Sequence, residues 1–163
     1  MNMELVRRHN KLVKEGDTVF FLGDFCWKER GGMDAKDYIK QLNGNIIFIK
    51  GNHDNNNGLN TIIENIVIEH GGKKIYLTHK PEDYQDECEW NFVGHFHKGR
   101  KFKKKGNTIL INVCCDVWDY QPIKIDRIIK EFKQWERNLW VDRLNKEAKK
   151  DFYNKEEEEV YQC

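Results

Sequence analysis

The sequence predicts an α/β fold, and three observations lead there. Short apolar runs alternate with helical spacing in the first half, and strands dominate the second half. Four of the apolar runs stop abruptly at a polar residue of metal-ligand type: Asp24, Asn52, His79, and the pair His95 and His97. The stretch from Asp24 to Ile46 is long enough to carry the chain across to a parallel strand.

The elements follow in order. Residues 3–14 have helical spacing, with Leu5, His9 or Leu12, and Val13 on one side, and Gly16-Asp17 ends the run. Thr18-Val19-Phe20-Phe21-Leu22 is β-branched and aromatic, so it reads as a buried strand. Asp34 is placed to cap a helix in which Ala35, Tyr38, Ile39 and Leu42 recur at helical spacing, with Asn43-Gly44-Asn45 as its stop. Ile46 to Ile49 is a second buried strand. A polar loop, Asn55 to Gly58, leads into an expected short helix over Leu59 to Glu64. Ile66-Val67-Ile68 and Lys74 to Leu77 are strands joined at Gly71-Gly72, and Trp90 to Val93 and Thr108 to Val113 complete the set.

The tail changes character at Asp126. Ile128, Phe132, Trp135 and Leu139 step by four, three and four, which makes an amphipathic helix. Asp126 with Lys130, and Asp142 with Lys146, are favourable i,i+4 pairs. Glu156 to Glu159 is an acidic run, expected to be solvated and frayed. The organisation expected is therefore a domain over residues 1–125 and a charged helical extension over residues 126–163. That helix either docks on the domain or pairs with another subunit.

Bulk properties set limits. The chain has 163 residues, enough for one domain with a proper core. Charged residues are abundant but nearly balanced, at a net +1, so no general attraction to nucleic acid or an anionic membrane follows. No apolar run approaches the roughly 18 residues of a membrane span, and the N-terminus has no signal-peptide core. The five cysteines, Cys26, Cys88, Cys114, Cys115 and Cys163, include no C-x-x-C pair. They read as reduced thiols of a cytoplasmic protein rather than as a structural zinc site.

Taken singly, the polar strand ends have dull explanations. Gly-Asp is a common turn, His-x-His a common hairpin feature, and Asn52 could merely cap a turn. Their shared position after successive buried strands is harder to dismiss, because ligand sites in open α/β sheets form beyond the carboxyl ends of strands.

Gly23-Asp24, Gly51-Asn52-His53-Asp54, His79 and Gly94-His95-Phe96-His97 resemble, in order and approximate spacing, motifs two to five of the calcineurin-like metallophosphoesterases. The resemblance covers about residues 2–125. Gly16-Asp17-Thr18-Val19 before the second motif, and Asn112-Val113 to Asp116-Val117 after the last, resemble the small bacterial and phage predicted phosphoesterases. The resemblance implies an α/β/β/α sandwich and roles for individual residues. Asp24 would bridge two metals, and Asn52, His79 and His95 would complete the second metal's ligands. His97 would bind the first metal. His53 would protonate the leaving group, with Asp54 orienting its ring. Carboxylate, amide and imidazole ligands suit Mn, Fe, Zn or Ni. Two such metals clamp a phosphate and acidify a water that attacks phosphorus in line. The implied substrate is a phosphodiester or a small phosphorylated compound.

The family's opening strand and its Asp-x-His are not found before Asp24. The expectation is then a sandwich lacking its first strand, with one metal site complete and the other reduced to Asp24 and His97. The opened sheet or the C-terminal helix could support a homo-oligomer. His9 is the lone upstream histidine and reads as a packing residue rather than a substitute ligand. The rival to an active phosphoesterase is a binding or scaffold module on the same fold, as in the retromer subunit. The basic run Lys98, Arg100, Lys101, Lys103, Lys104 and Lys105 reads as a solvated hairpin tip. It makes nucleic acid a conceivable partner, but Phe102 alone interleaves it with an aromatic, so a nucleic-acid platform is not indicated.

Overall fold

A computed structural model describes the backbone of residues 2–27 and 32–160, with side chains as far as residue 146. The chain forms two compact units, Met1–Ile123 and Lys124–Cys163. The first is mixed α/β, as the sequence predicts.

Helix α1 (Asn2–Leu12) opens this unit and leads into β1 (Thr18–Leu22). Helix α2 (Ala35–Ile39) follows the crossover, and β2 (Asn45–Ile49) returns parallel to β1, from Thr18 opposite Asn45 to Leu22 opposite Ile49. Asp34 does stand at the N-cap of α2, but its side chain makes no capping bond; its carbonyl accepts the Asp37 N–H at 2.9 Å. Polar side chains stitch α1 to the far end of α2. Asn10 accepts the Asn43 N–H at 2.8 Å, and His9 Nε2 contacts the Asn43 carbonyl at 2.9 Å. His9 is buried there, so it is a packing residue and not a ligand.

The other strands are β3 (Asn65–His70), β4 (Lys73–Thr78), β5 (Trp90–Val93), β6 (Phe102–Lys105) and β7 (Thr108–Asn112). They make a five-stranded sheet in the order β3-β4-β5-β7-β6. The three central strands run parallel, and the two edges are antiparallel hairpin partners. All residues of β5 and β7 are buried, as expected of parallel strands covered on both faces. The β3 edge instead alternates between exposed and half-buried positions.

Asn91 lies at the centre of β5 with no exposure. Its amide is fully used: Oδ1 accepts the Gln85 N–H at 2.8 Å, and Nδ2 reaches the carbonyls of Gln85 and Cys88 and the Thr108 hydroxyl. This network fixes the loop before β5 and its register with β7.

Several sequence expectations need correction. Strands β1 and β2, expected to be buried, are mostly half-buried, and Ile49 alone among their residues lies in the core. Residues 59–64 are irregular, not helical. A short 3-10 turn at Asn55–Asn57 comes first, ended by Gly58 at φ 81°. Lys50 then donates its N–H to Ile63 at 2.7 Å, which holds the segment beside the end of β2. A six-residue helix would not recover its nucleation cost against such a bond. The basic run is not a hairpin tip either. Lys103, Lys104 and Lys105 lie within β6, at the sheet edge, and the turn is Gly106-Asn107. Lysines on an edge strand oppose pairing with other chains. Two basic side chains also lie over rings: Lys101 over Trp118 at 3.9 Å and Lys105 over Tyr84 at 3.8 Å.

The second unit is one helix, α3 (Ile125–Val160). Arg127 and Glu131 form an i,i+4 ion pair at 3.0 Å, and Phe132 and Trp135 have their rings 5.7 Å apart. The backbone is helical through the acidic run, which was expected to fray; the Asp142–Lys146 pair lies at the end of the described side chains. Among the described residues no helix is long and apolar enough to cross a membrane.

Candidate metal centre

The parallel arrangement of β1 with β2, and of β4 with β5 and β7, sets the site. Each strand ends in a loop that carries a ligand-type residue. Asp24 follows β1, Asn52 follows β2, His79 follows β4, and His95 follows β5.

His79 is the centre of the group. Its Nδ1 lies 2.7 Å from the Leu22 carbonyl, which can only accept, so Nδ1 carries the proton. In the neutral ring this turns the lone pair of Nε2 into the site. Around Nε2 stand Asn52 Oδ1 at 2.9 Å, His95 Nδ1 at 3.2 Å and Asp24 Oδ2 at 3.3 Å. The ligand atoms of Asp24, His79 and His95 all lie within 4.8 Å of one another. Oxygen and nitrogen lone pairs brought this close repel unless a cation or a proton sits among them. One carboxylate, one amide oxygen and two imidazoles suit a divalent transition metal. The residues therefore fit a metal ion.

The backbone around the group is strained. Asp24 has φ 54° and His95 φ 65°, both in the left-handed region that L-residues avoid. Such conformations cost roughly 1–3 kcal/mol each and gather at functional sites. The two glycines beside the ligands allow close approach. A Cβ on Gly23, itself at φ +78°, would stand 2.5 Å from Gly51 Cα and 2.6 Å from His79 Nδ1. A Cβ on Gly51 would overlap the backbone nitrogen of Asp24.

Asp54 holds the two loops together. It is 1% exposed. One carboxylate oxygen accepts the Phe25 N–H at 2.9 Å and the other the Gly51 N–H at 2.7 Å. The expected role, orienting the ring of His53, is not the one this geometry displays. His53 itself is exposed; its backbone N–H donates to Asp24 Oδ1 at 2.8 Å, and its ring meets the Trp27 ring edge-on at 5.5 Å.

His97 does not join the His79 group. It sits with Cys114 and Asp116, from the loop after β7. Its Nδ1 lies 3.0 Å from Asp116 Oδ2, and this bond, with the nearby carboxylate charge, raises its pKa. Burial pushes the Asp116 pKa up, but the hydrogen bonds from Cys114 and His97 outweigh it and leave the carboxyl below its usual range. Its interaction with the neighbouring Cys115 thiol, and burial, hold the Cys114 thiol well above its ordinary pKa, and the same interaction lowers that of Cys115. Sequence reasoning missed Cys114 and Asp116. The signal was present: β7 is a further buried strand that ends in ligand types.

Residues 1–115 match the calcineurin-like phosphoesterase superfamily domain. The chain belongs to that superfamily. An uncharacterized protein of Methanocaldococcus jannaschii is 34% identical over 140 residues, 80% of this chain and 74% of that protein. The crystal structure of a protein of unknown function from Aquifex aeolicus is similar with a TM-score of 0.60 and 28% identity, over 79% of this chain and 83% of the other. The superfamily assignment and the sandwich class read from the motifs agree with these likenesses. The four cysteines among the described residues, Cys26, Cys88, Cys114 and Cys115, are free thiols.

Proposed function

We propose that this calcineurin-like phosphoesterase domain is a metal-dependent hydrolase of a phosphodiester or small phosphorylated substrate. The observation that carries the reading is the convergence of Asp24, Asn52, His79 and His95 from four strand ends onto one point. These residues would hold the metal. When bound, it supplies Lewis-acid charge to a phosphoryl oxygen and acidifies water.

The chain's own residues do the rest. The Leu22 carbonyl fixes the tautomer of His79, and Asp54 fixes the spacing of the Asp24 and Asn52 loops. His53 stands exposed next to Asp24, free to protonate the leaving oxygen, and the 65% exposed Trp27 flanks it as a wall for the substrate. The metal is a transition ion such as Mn, Fe, Zn or Ni. The catalytic domain spans residues 1–125, with residues 126–163 as a helical extension. Four free thiols are consistent with a reducing, cytoplasmic setting.

The test is to load the protein with Mn²⁺, count the bound metal, and assay bis(p-nitrophenyl) phosphate. His53→Ala is expected to lower kcat by roughly 10²- to 10⁴-fold with metal content unchanged. Turnover equal in both proteins, or a protein that takes up no metal, would refute the proposal.

A further inference from the structure

Outside the His79 group, one cluster combines three different metal-ligating chemistries. His97 Nδ1, Cys114 Sγ and Asp116 Oδ2 form a triangle. Its sides are 3.0 Å from His97 to Asp116, 3.2 Å from Cys114 to Asp116 and 3.8 Å from Cys114 to His97. A zinc ion with bonds of about 2.0 Å to nitrogen and oxygen and about 2.3 Å to sulfur, in tetrahedral geometry, needs its ligands about 3.3–3.5 Å apart. Each side lies within about 0.3 Å of the tetrahedral value for its pair, a difference that side-chain adjustment covers without rearrangement of the loops.

The loops are also braced. β5 and β7 are adjacent parallel strands, so the loops after them leave the sheet side by side. Asn112, at the end of β7, is buried and spans the gap. Its Nδ2 donates to the Phe96 carbonyl at 2.9 Å, next to His97, and its Oδ1 accepts the Cys114 N–H at 3.0 Å. Buried Trp118 then donates its ring N–H to the Asn112 carbonyl at 2.7 Å, holding the far end of the Cys114–Asp116 turn. A surface cluster that met only by chance would have no reason to be tied on both sides.

We infer that His97, Cys114 and Asp116 form a second, sulfur-containing transition-metal site, distinct in chemistry from the His79 group. A thiolate with an imidazole and a carboxylate favours zinc or cobalt over magnesium, calcium or manganese. Binding replaces the Cys114 S–H proton, which passes to solvent. The His97 side chain is 68% exposed, so three protein ligands leave the fourth position open to water. The inference does not rest on the hydrolase reading.

Sulfur provides the readout. The metal-free full chain, kept reduced with a phosphine, is titrated with Co²⁺ and followed by absorption. A near-ultraviolet sulfur-to-cobalt charge-transfer band is expected to grow to saturation. Cys114→Ser abolishes it, with circular dichroism unchanged, and Asp116→Asn weakens Co²⁺ affinity at least about tenfold. Cys115→Ser and Asp24→Asn retain the band. Asp24→Asn separates this site from the hydrolytic one, because it removes a ligand of the His79 group alone. Co²⁺ uptake with no charge-transfer band, no uptake at all, or a band that survives Cys114→Ser and disappears in Cys115→Ser would each overturn the inference. If Cys114→Ser fails to fold, Cys114→Ala and the Asp116→Asn titration carry the same test.

Discussion

Asp54→Ala tests whether this carboxylate is a structural brace or an orienting group for His53. Its two oxygens accept the N–H groups of Phe25 and Gly51, and the residue is almost fully buried. Alanine leaves both donors without a partner. An unsatisfied buried N–H costs about 1–3 kcal/mol. The Gly51 bond is fully buried and the Phe25 bond only partly so, so the Phe25 donor can recover some solvation from water. The sum is roughly 2–4 kcal/mol. For a chain of this size that lowers Tm by roughly 4–16 °C. Urea denaturation of the metal-free protein reads the free energy directly, and a thermal melt checks it. Metal affinity should fall as well, because the brace sets the distance between the Asp24 and Asn52 loops. If the stability change stays within about 0.5 kcal/mol, as for an ordinary surface substitution, while activity alone collapses, the brace reasoning is wrong and the orienting role regains its place.

Two further predictions concern the backbone and the sheet edge. At His95, alanine and glycine both remove the imidazole, but only alanine keeps a Cβ at φ 65°. His95→Gly should therefore be about 1 kcal/mol more stable than His95→Ala in urea, the reverse of the usual order; equal stabilities would show that this φ carries no strain. On the β6 edge, replacing Lys103 and Lys104 together by valine should leave urea stability within about 0.5 kcal/mol but promote self-association, and light scattering unchanged from the unmodified protein would contradict the edge-protection account.

Much of this was legible in the sequence, for reasons that can be named. Thr18–Leu22, Asn45–Ile49, Trp90–Val93 and Thr108–Asn112 are short apolar runs bounded by turn residues, and each is a strand; the last two are buried throughout, the first two mostly half-buried. Polar residues at their carboxyl ends could be expected to meet, because parallel strands deliver their ends to one edge. The sequence could not show which partner each would take. Asp54 beside His53 looked like a pair, yet its side chain points back under the loop to main-chain donors separated from it by up to 29 positions. Residues 59–64 have helix-like spacing, but a single long-range hydrogen bond from Lys50 decides their path. The lysines from 103 to 105 were indistinguishable from a turn until the register with β7 placed them in a strand. The motif resemblance groups His97 with Asp24; its actual neighbours, Cys114 and Asp116, lie beyond another strand, and only the adjacency of β5 and β7 brings them together.

The His79 group also has a mechanical side. Asp24 and Asn52 follow strands of the two-stranded sheet, while His79 and His95 follow strands of the five-stranded one. The hydrogen bond from His79 to the Leu22 carbonyl crosses the same boundary. An ion held by all four would rivet the two sheets, and its binding energy would oppose their separation. At a free concentration a thousand times its dissociation constant, it would add about 4 kcal/mol against unfolding. A chelator would then act as more than an inhibitor. It would release the ends of β1 and β2, so that amide exchange and proteolysis in the Asp24 and Asn52 loops report the loss of the ion before any substrate is added.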